Sequence, residues 1–239
     1  MNFIKELYSF EGITNQIKSD ILDVYTSIRP SARILFYYDQ NIKDFLEFIT
    51  SNEIKISVSR GYILQKKNNE SYVDYFTNQN LKEELDLEKL FALYISLDEN
   101  LANDCRNKDE SKDDNLFGIA LGYPKCCVSF VEKKGKPPTV VESFIKDQIN
   151  SMYNPYTWLP SMINDSNLIT HFPCNLNCKV SEKMAIKRWK IIKKETSNEN
   201  VNHYQQNLSS DYQLTKEKKI ISGHRINKSL PFVSPIFSI

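Results

Sequence analysis

The residues of this chain best equipped for chemistry lie in two short segments. The first, Leu121-Gly122-Tyr123-Pro124-Lys125-Cys126-Cys127-Val128-Ser129-Phe130-Val131, joins a turn glycine, a helix-starting proline and two adjacent thiols to an apolar helical pattern. A helix N-terminus carries unsatisfied N–H groups and a partial positive charge, which favour a thiolate over a thiol. The same N–H groups can receive the oxyanion of an acyl-transfer intermediate. The second segment, Ile169-Thr170-His171-Phe172-Pro173-Cys174-Asn175-Leu176-Asn177-Cys178, supplies an imidazole and two more thiols.

A cysteine nucleophile needs a base within hydrogen-bond reach and an acceptor that orients that base. His171 is the expected base, weighed against a partly buried histidine that satisfies a backbone carbonyl, while His203 and His224 sit in polar surroundings and read as solvated side chains. Asn177 is the expected orienting residue, with Asn175 and Asp165 as alternatives. The competing reading is metal: Cys126, Cys127, His171, Cys174 and Cys178 include enough soft donors for a tetrahedral zinc or an iron–sulfur site. Against it, adjacent cysteines project in different directions, and zinc motifs separate their thiols. A third reading makes Cys174 and Cys178 small buried apolar groups. Acyl transfer itself calls for no cofactor and no metal.

Composition narrows the classes. At 239 residues and 41% hydrophobic, the chain can bury a sizeable core, and 31 basic against 30 acidic side chains leave a net charge of +1. That balance writes no nucleic-acid footprint, and no apolar run reaches the roughly 20 residues that span a bilayer, so a cytoplasmic protein with no nucleic-acid or membrane partner is expected. Five cysteines, an odd number, suit catalysis or metal binding better than a disulfide framework in a reducing compartment. Cys105 stands alone in a polar segment and carries no expectation.

The elements that must position these groups follow from periodicity. Residues 1–28 read as helix broken at Gly12, Ile34 to Tyr38 as a strand, and Ile42 to Ile49 as a helix capped by Asp39. Ile54 to Val58 and Tyr62 to Leu64 read as a hairpin turning at Arg60-Gly61, and Tyr72 to Phe76 as a third strand. Leu81 to Ile95 matches an amphipathic helix, and 103–115 a solvated linker. The cysteine helix ends near Gly135. A helix follows around Val140 to Ile149, then an aromatic loop from Tyr153 to Pro160 suited to wall a pocket. Leu168 to Phe172 is strand-like, Ser181 to Glu195 is a basic helix, and an apolar tail closes the chain. The expected division is an N-terminal α+β region, 1–105, and a Cys/His region, 106–239, with a soft boundary.

The run Cys127-Val128-Ser129-Phe130-Val131 resembles the nucleophile helix of papain-like enzymes, and the order Cys before His fits them. The chain departs from true papains in lacking Cys-Gly-Ser-Cys-Trp and an upstream glutamine for the oxyanion hole, which argues against an ordinary protease. The longer pattern Gly-Tyr-Pro-x-Cys-Cys-Val with a later His-x-Pro-Cys, over residues 117–178, is similar to uncharacterised prokaryotic proteins and to the papain-like amide-forming acyltransferases of closthioamide assembly. That resemblance implies an α+β fold with a papain-like core, the nucleophile helix packed on an antiparallel sheet, behind an N-terminal extension. It implies transfer of an acyl group from a carrier-protein thioester through an acyl-cysteine to a diamine. Cys127, followed by Phe130 and Val131 as in those families, becomes the expected nucleophile, with Cys126 the alternative. The basic face of Lys183, Lys187, Arg188, Lys190, Lys193 and Lys194 reads as solvated, or as a dock for an acidic carrier protein.

Overall fold

The computed structural model describes residues 2–37, 42–66, 72–77, 87–134, 168–175, 177–208, 212–214, 220–222 and 225–226. The expected cap at Asp39, the helix at 140–149, the aromatic loop at 153–160, Asp165, His224 and the apolar tail lie outside them. The protein is α+β. It divides into two compact units, one drawn from Met1–Leu22 and Pro124–Val233, the other from Asp23–Tyr123 and Ser234–Ile239. Residues 105 and 106 both belong to the second of these units.

The second unit is built on an antiparallel sheet of β1 (Ser31–Tyr37), β2 (Lys55–Val58), β3 (Tyr62–Lys66), β4 (Tyr72–Thr77) and β5 (Leu87–Ser96). The expected helix over Leu81 to Ile95 is corrected: its described part is β5, the central strand. Leu87, Leu90, Phe91 and Tyr94 mimic helical spacing. The continuous apolar run from Leu90 to Ile95 is instead that of a strand buried on both faces, with Ala92, Leu93, Tyr94 and Ile95 all at 0% exposure. One edge of β5 carries β1, from Ser31↔Ser96 to Tyr37↔Leu90.

Along the other edge run β2 and β3 in line, Val58↔Leu93 and then Ile63↔Leu90. The expected β2–β3 hairpin is thus also corrected. Arg60-Gly61 makes a bulge within a single edge, where Ser59 N–H donates to Ala92 O (2.9 Å), Ala92 N–H donates to Ser59 Oγ (3.1 Å), and that hydroxyl donates to Gly61 O (2.8 Å). Helix α3 (Lys43–Ser51) precedes β2 as expected.

Helix α4 (Glu99–Glu110) occupies most of the segment read as a linker. Asp98 caps it, accepting from the N–H groups of Asn100 and Leu101. Its buried face is Ala102, Cys105 and Asp109, too short in apolar residues to register as amphipathic. Cys105 is fully buried in a core with Ile63, Leu90, Ala92, Tyr94, Phe117 and Leu121, and burial lifts its thiol to about 11.

Helix α5 (Asp114–Ala120) ends at Gly122, whose φ of 77° places it in the left-handed region. Gly122 N–H donates to Ile119 O (2.9 Å) and Tyr123 N–H to Gly118 O (3.0 Å). A Cβ there would collide with Pro30 Cδ. Gly122→Ala should therefore cost more than the ~1 kcal/mol of left-handed strain alone, read as a lowered denaturation midpoint. An unchanged midpoint would mean that the turn relaxes freely.

The first unit holds α1 (Phe3–Ser9), the first part of α2 (Asn15–Tyr25), α6 (Lys125–Lys134), α7 (Lys179–Glu195), α8 (Asn198–Leu208) and a small antiparallel sheet of β6 (Tyr212–Leu214), β7 (Ile220–Ser222) and β8 (Arg225–Ile226). Helix α7 buries Ser181, Ala185, Arg188 and Ile192 along one face, while Lys183, Lys187, Lys190, Lys193 and Lys194 are exposed. Arg188 leaves the basic face on which the sequence put it and lies 2% exposed near Tyr8. Asn2 caps α1 and also donates to Glu195 Oε2 (2.9 Å), holding the far end of α7.

Candidate metal centre

Two helix starts and one buried turn form the site. Pro124 O accepts from the N–H groups of Cys127 (2.8 Å) and Val128 (3.0 Å), so the cysteines occupy the first turn of α6. Cys178 is the N-cap residue of α7, and Cys178 O accepts from Glu182 N–H at 2.9 Å. Between them runs the segment Leu168–Asn175, whose Leu168, Ile169, His171 and Phe172 are all buried. It forms bends and not the expected strand, because its apolar side chains are buried by packing without ladder pairing. Phe172 stacks on Phe130 of α6, centroids 6.3 Å apart and 12° from parallel, which ties the turn to the cysteine helix.

Four sulfurs converge. The Sγ atoms of Cys126, Cys127, Cys174 and Cys178 all lie within 4.8 Å of one another. Cys126 to Cys127 and Cys126 to Cys178 are 3.8 Å, and Cys127 to Cys178 is 3.7 Å. The sequence argument that adjacent cysteines diverge is overturned here. Cys127 reaches the cluster from the buried side of α6 and Cys126 from the exposed side, with Cys178 against both. Cys127 is 1% and Cys178 5% exposed, Cys174 is half-buried and Cys126 is exposed.

His171, 4% exposed, stands behind the sulfurs rather than among them. Its Nε2 lies 2.7 Å from Ser181 Oγ, and Ser181 Oγ lies 3.3 Å from Cys178 Sγ and 3.4 Å from Cys127 Sγ. With that hydroxyl donating to sulfur, Nε2 carries the proton and donates to Oγ. Ser181 is the functional residue that the sequence reading missed. Its signal was the spacing Cys178-x-x-Ser181, an N-cap and the third helical position after it. Asn177 is exposed, and its N–H turns back to Asn175 Oδ1 (2.9 Å) in an Asx turn. His203 lies on α8, away from the two cysteine segments in sequence.

The electrostatics divide the thiols. Burial pushes the Cys127 thiol well up, against hydrogen bonds from Ser181 and from Cys174 N–H (3.3 Å), opposite to the lowering expected of a helix start. Burial and the neighbouring Cys178 push Cys174 up to about 12. Cys178 is also raised by burial, but the Ser181 hydroxyl and N–H, then the Cys127 and Cys174 thiols, outweigh that and hold it at about 7. The Ser181 hydroxyl and N–H at the start of α7 thus favour the thiolate of Cys178. No family model, curated protein or solved structure matches the chain. The site and fold together define an α+β protein with a four-thiol centre fed by two helix N-termini.

Proposed function

We propose that the protein binds a single thiophilic metal ion, zinc or ferrous iron, through Cys126, Cys127, Cys174 and Cys178. The sulfur spacing carries this reading: thiolates about 2.3 Å from a tetrahedral zinc stand ~3.8 Å apart, and three of the pairs are at 3.7 to 3.8 Å. A four-iron cube puts each thiolate on a different iron and holds the sulfurs farther apart. The ligands have the outer partners that such centres use. Cys174 N–H donates to Cys127, the Asn175 side-chain amide donates to Cys174 (3.4 Å), and Ser181 serves Cys178 while His171 orients Ser181. His171 is thus outside the ligand set in this reading.

The test is metal analysis of protein purified without chelator, together with cobalt(II) substitution. One ion per chain and the intense sulfur-to-cobalt charge-transfer bands of a tetrathiolate are expected. A protein with reduced thiols that neither carries nor takes up metal would end this reading.

A second reading has its own observation, the hydrogen-bonded chain Cys127–Ser181–His171. In it Cys127 takes an acyl group from a carrier-protein thioester, His171 moves the proton through Ser181, and a diamine discharges the acyl-cysteine to an amide, on a papain-like core. Burial of Cys127 and its raised thiol weigh against it. Metal-free protein that forms an acyl adduct at Cys127, lost in Cys127→Ala, would favour it over the metal centre.

A further inference from the structure

The four ligands are not equivalent, and their differences assign a role to one of them. In a tetrathiolate the electron density on each sulfur depends on how many hydrogen bonds it accepts and how far it is from water, because both draw charge away from or shield the nucleophilic lone pair. Cys127 accepts from Cys174 N–H at 3.3 Å, lies 3.4 Å from the Ser181 hydroxyl and is 1% exposed. Cys178 accepts from the Ser181 hydroxyl at 3.3 Å and is 5% exposed. Cys174 accepts from the Asn175 side-chain amide at 3.4 Å and is half-buried. Cys126 differs on both counts. Its sulfur meets the sulfurs of Cys127 and Cys178 at 3.8 Å each, it receives no N–H among the described residues, and it is exposed.

We infer that Cys126 is the reactive thiolate of this centre, the ligand whose sulfur attacks a soft alkyl electrophile arriving from solvent. The inference rests on the metal-binding reading. A bound divalent ion keeps the Cys126 sulfur deprotonated, and a tetrathiolate around it carries excess negative charge that alkylation of one sulfur relieves. The step balances without a proton, an oxidant or a co-reactant. A sulfur lone pair forms the new S–C bond, the bond from carbon to the leaving group breaks, and its electron pair departs with the leaving group as an anion. The product is a thioether at Cys126 beside a metal that retains three thiolates. The three more enclosed ligands then serve to hold the ion and the outermost ligand to spend its lone pair, which is a division of labour that a purely structural site does not need.

The experiment uses the full chain loaded with cobalt(II) and treated with a limiting amount of iodoacetamide, with peptide mapping by mass spectrometry and the charge-transfer spectrum followed together. Alkylation is expected first at Cys126, about tenfold or more ahead of Cys127, Cys174 and Cys178, and with one equivalent incorporated the sulfur-to-cobalt absorption should fall in step. Cys105, buried in the other unit's core, should stay unlabelled and serve as the internal control for an intact fold. A tetrathiolate spectrum with label spread over all four cysteines would overturn this inference and leave the metal centre standing. Label on Cys126 with an unchanged spectrum would also overturn it, since an exposed thiol that is not a ligand reacts without disturbing the metal. Failure to bind cobalt would remove the metal reading and this one together. Cys126→Ser, loaded in the same way, should lose the fast phase of alkylation while retaining cobalt with a three-sulfur spectrum.

Discussion

Cys127→Ala and Cys178→Ala are each expected to abolish stoichiometric zinc binding and to strip most of the protection from the segment 168–181. Both sulfurs are buried, so alanine leaves no solvent path by which water can replace the ligand at low energetic expense. Loss of an outer-shell partner alone lowers metal affinity by roughly 10- to 100-fold, and loss of a ligand should exceed that. The fold should feel it because the turn carrying His171, Phe172 and Cys174 has no backbone ladder to hold it and depends on packing and on the sulfurs. Hydrogen exchange across 168–181 should therefore rise to near-unfolded rates in these variants and in wild-type protein stripped by a strong chelator. Because metal binding expels thiol protons, the wild-type affinity should also weaken as the pH falls. Variants that keep one tightly bound ion and native exchange rates would show that these sulfurs cluster for packing alone.

Ser181→Ala tests the layer behind the ligands by the same measurements. Its hydroxyl is the group that joins His171 to Cys178 and Cys127, so its loss should lower zinc affinity by roughly 10- to 100-fold without changing stoichiometry. Ser181→Thr should restore most of it. Equal affinity in all three proteins would reduce Ser181 to a helix-start residue.

Much of this architecture was legible in the sequence, and the failures have specific physical origins. Helices α1, α2, α3, α6 and α7 and strand β2 announced themselves by period, and strands β1, β3 and β4 by short runs rich in aromatic and β-branched residues. Strand β5 did not, since a strand buried on both faces loses its alternation and borrows the look of a helix. Helix α4 was hidden because the third member of its buried face is a carboxylate, Asp109, whose partners lie 76 and 15 residues away in sequence. The sequence singled out the two thiol segments, and the structure brings four of their sulfurs together, through geometry that spacing does not encode. Neighbours on a helix diverge by about 100°. Two of them can still meet one ion when it sits over the helix end rather than against its side.

Asp109→Ala is the second large effect expected, and it concerns the other unit. The carboxylate accepts two hydrogen bonds from Arg33 Nη1, at 2.8 and 3.1 Å, and a third from Tyr94 Oη at 2.7 Å. The ion pair is nearly dry, with side-chain exposures of 5% for Arg33 and 9% for Asp109, and Arg33 also lies over the Phe117 ring at 5.0 Å. Removing the carboxylate leaves a guanidinium that cannot shed its proton and a phenol without an acceptor, both inside the core. Breaking a buried pair in this way costs about 3 to 5 kcal/mol, enough to take a large share of the stability of an ordinary domain.

Burial, and after it the Asp109 charge, push the Tyr94 phenol well above its ordinary range. Its contribution is therefore complete below about pH 10, the unfolded value, and declines as the pH climbs above that, where the unfolded chain alone releases the proton. Asp109→Asn should fall between wild type and alanine, since an amide still accepts from Tyr94 but presents no charge to Arg33. The double replacement Arg33→Met with Asp109→Leu should recover part of the loss, because it removes both charges and fills the space with apolar groups. Chemical denaturation of the four proteins decides the matter. A loss under about 1 kcal/mol in Asp109→Ala would place the pair in the range of a solvated surface bridge and would remove it as the link between α4 and the sheet.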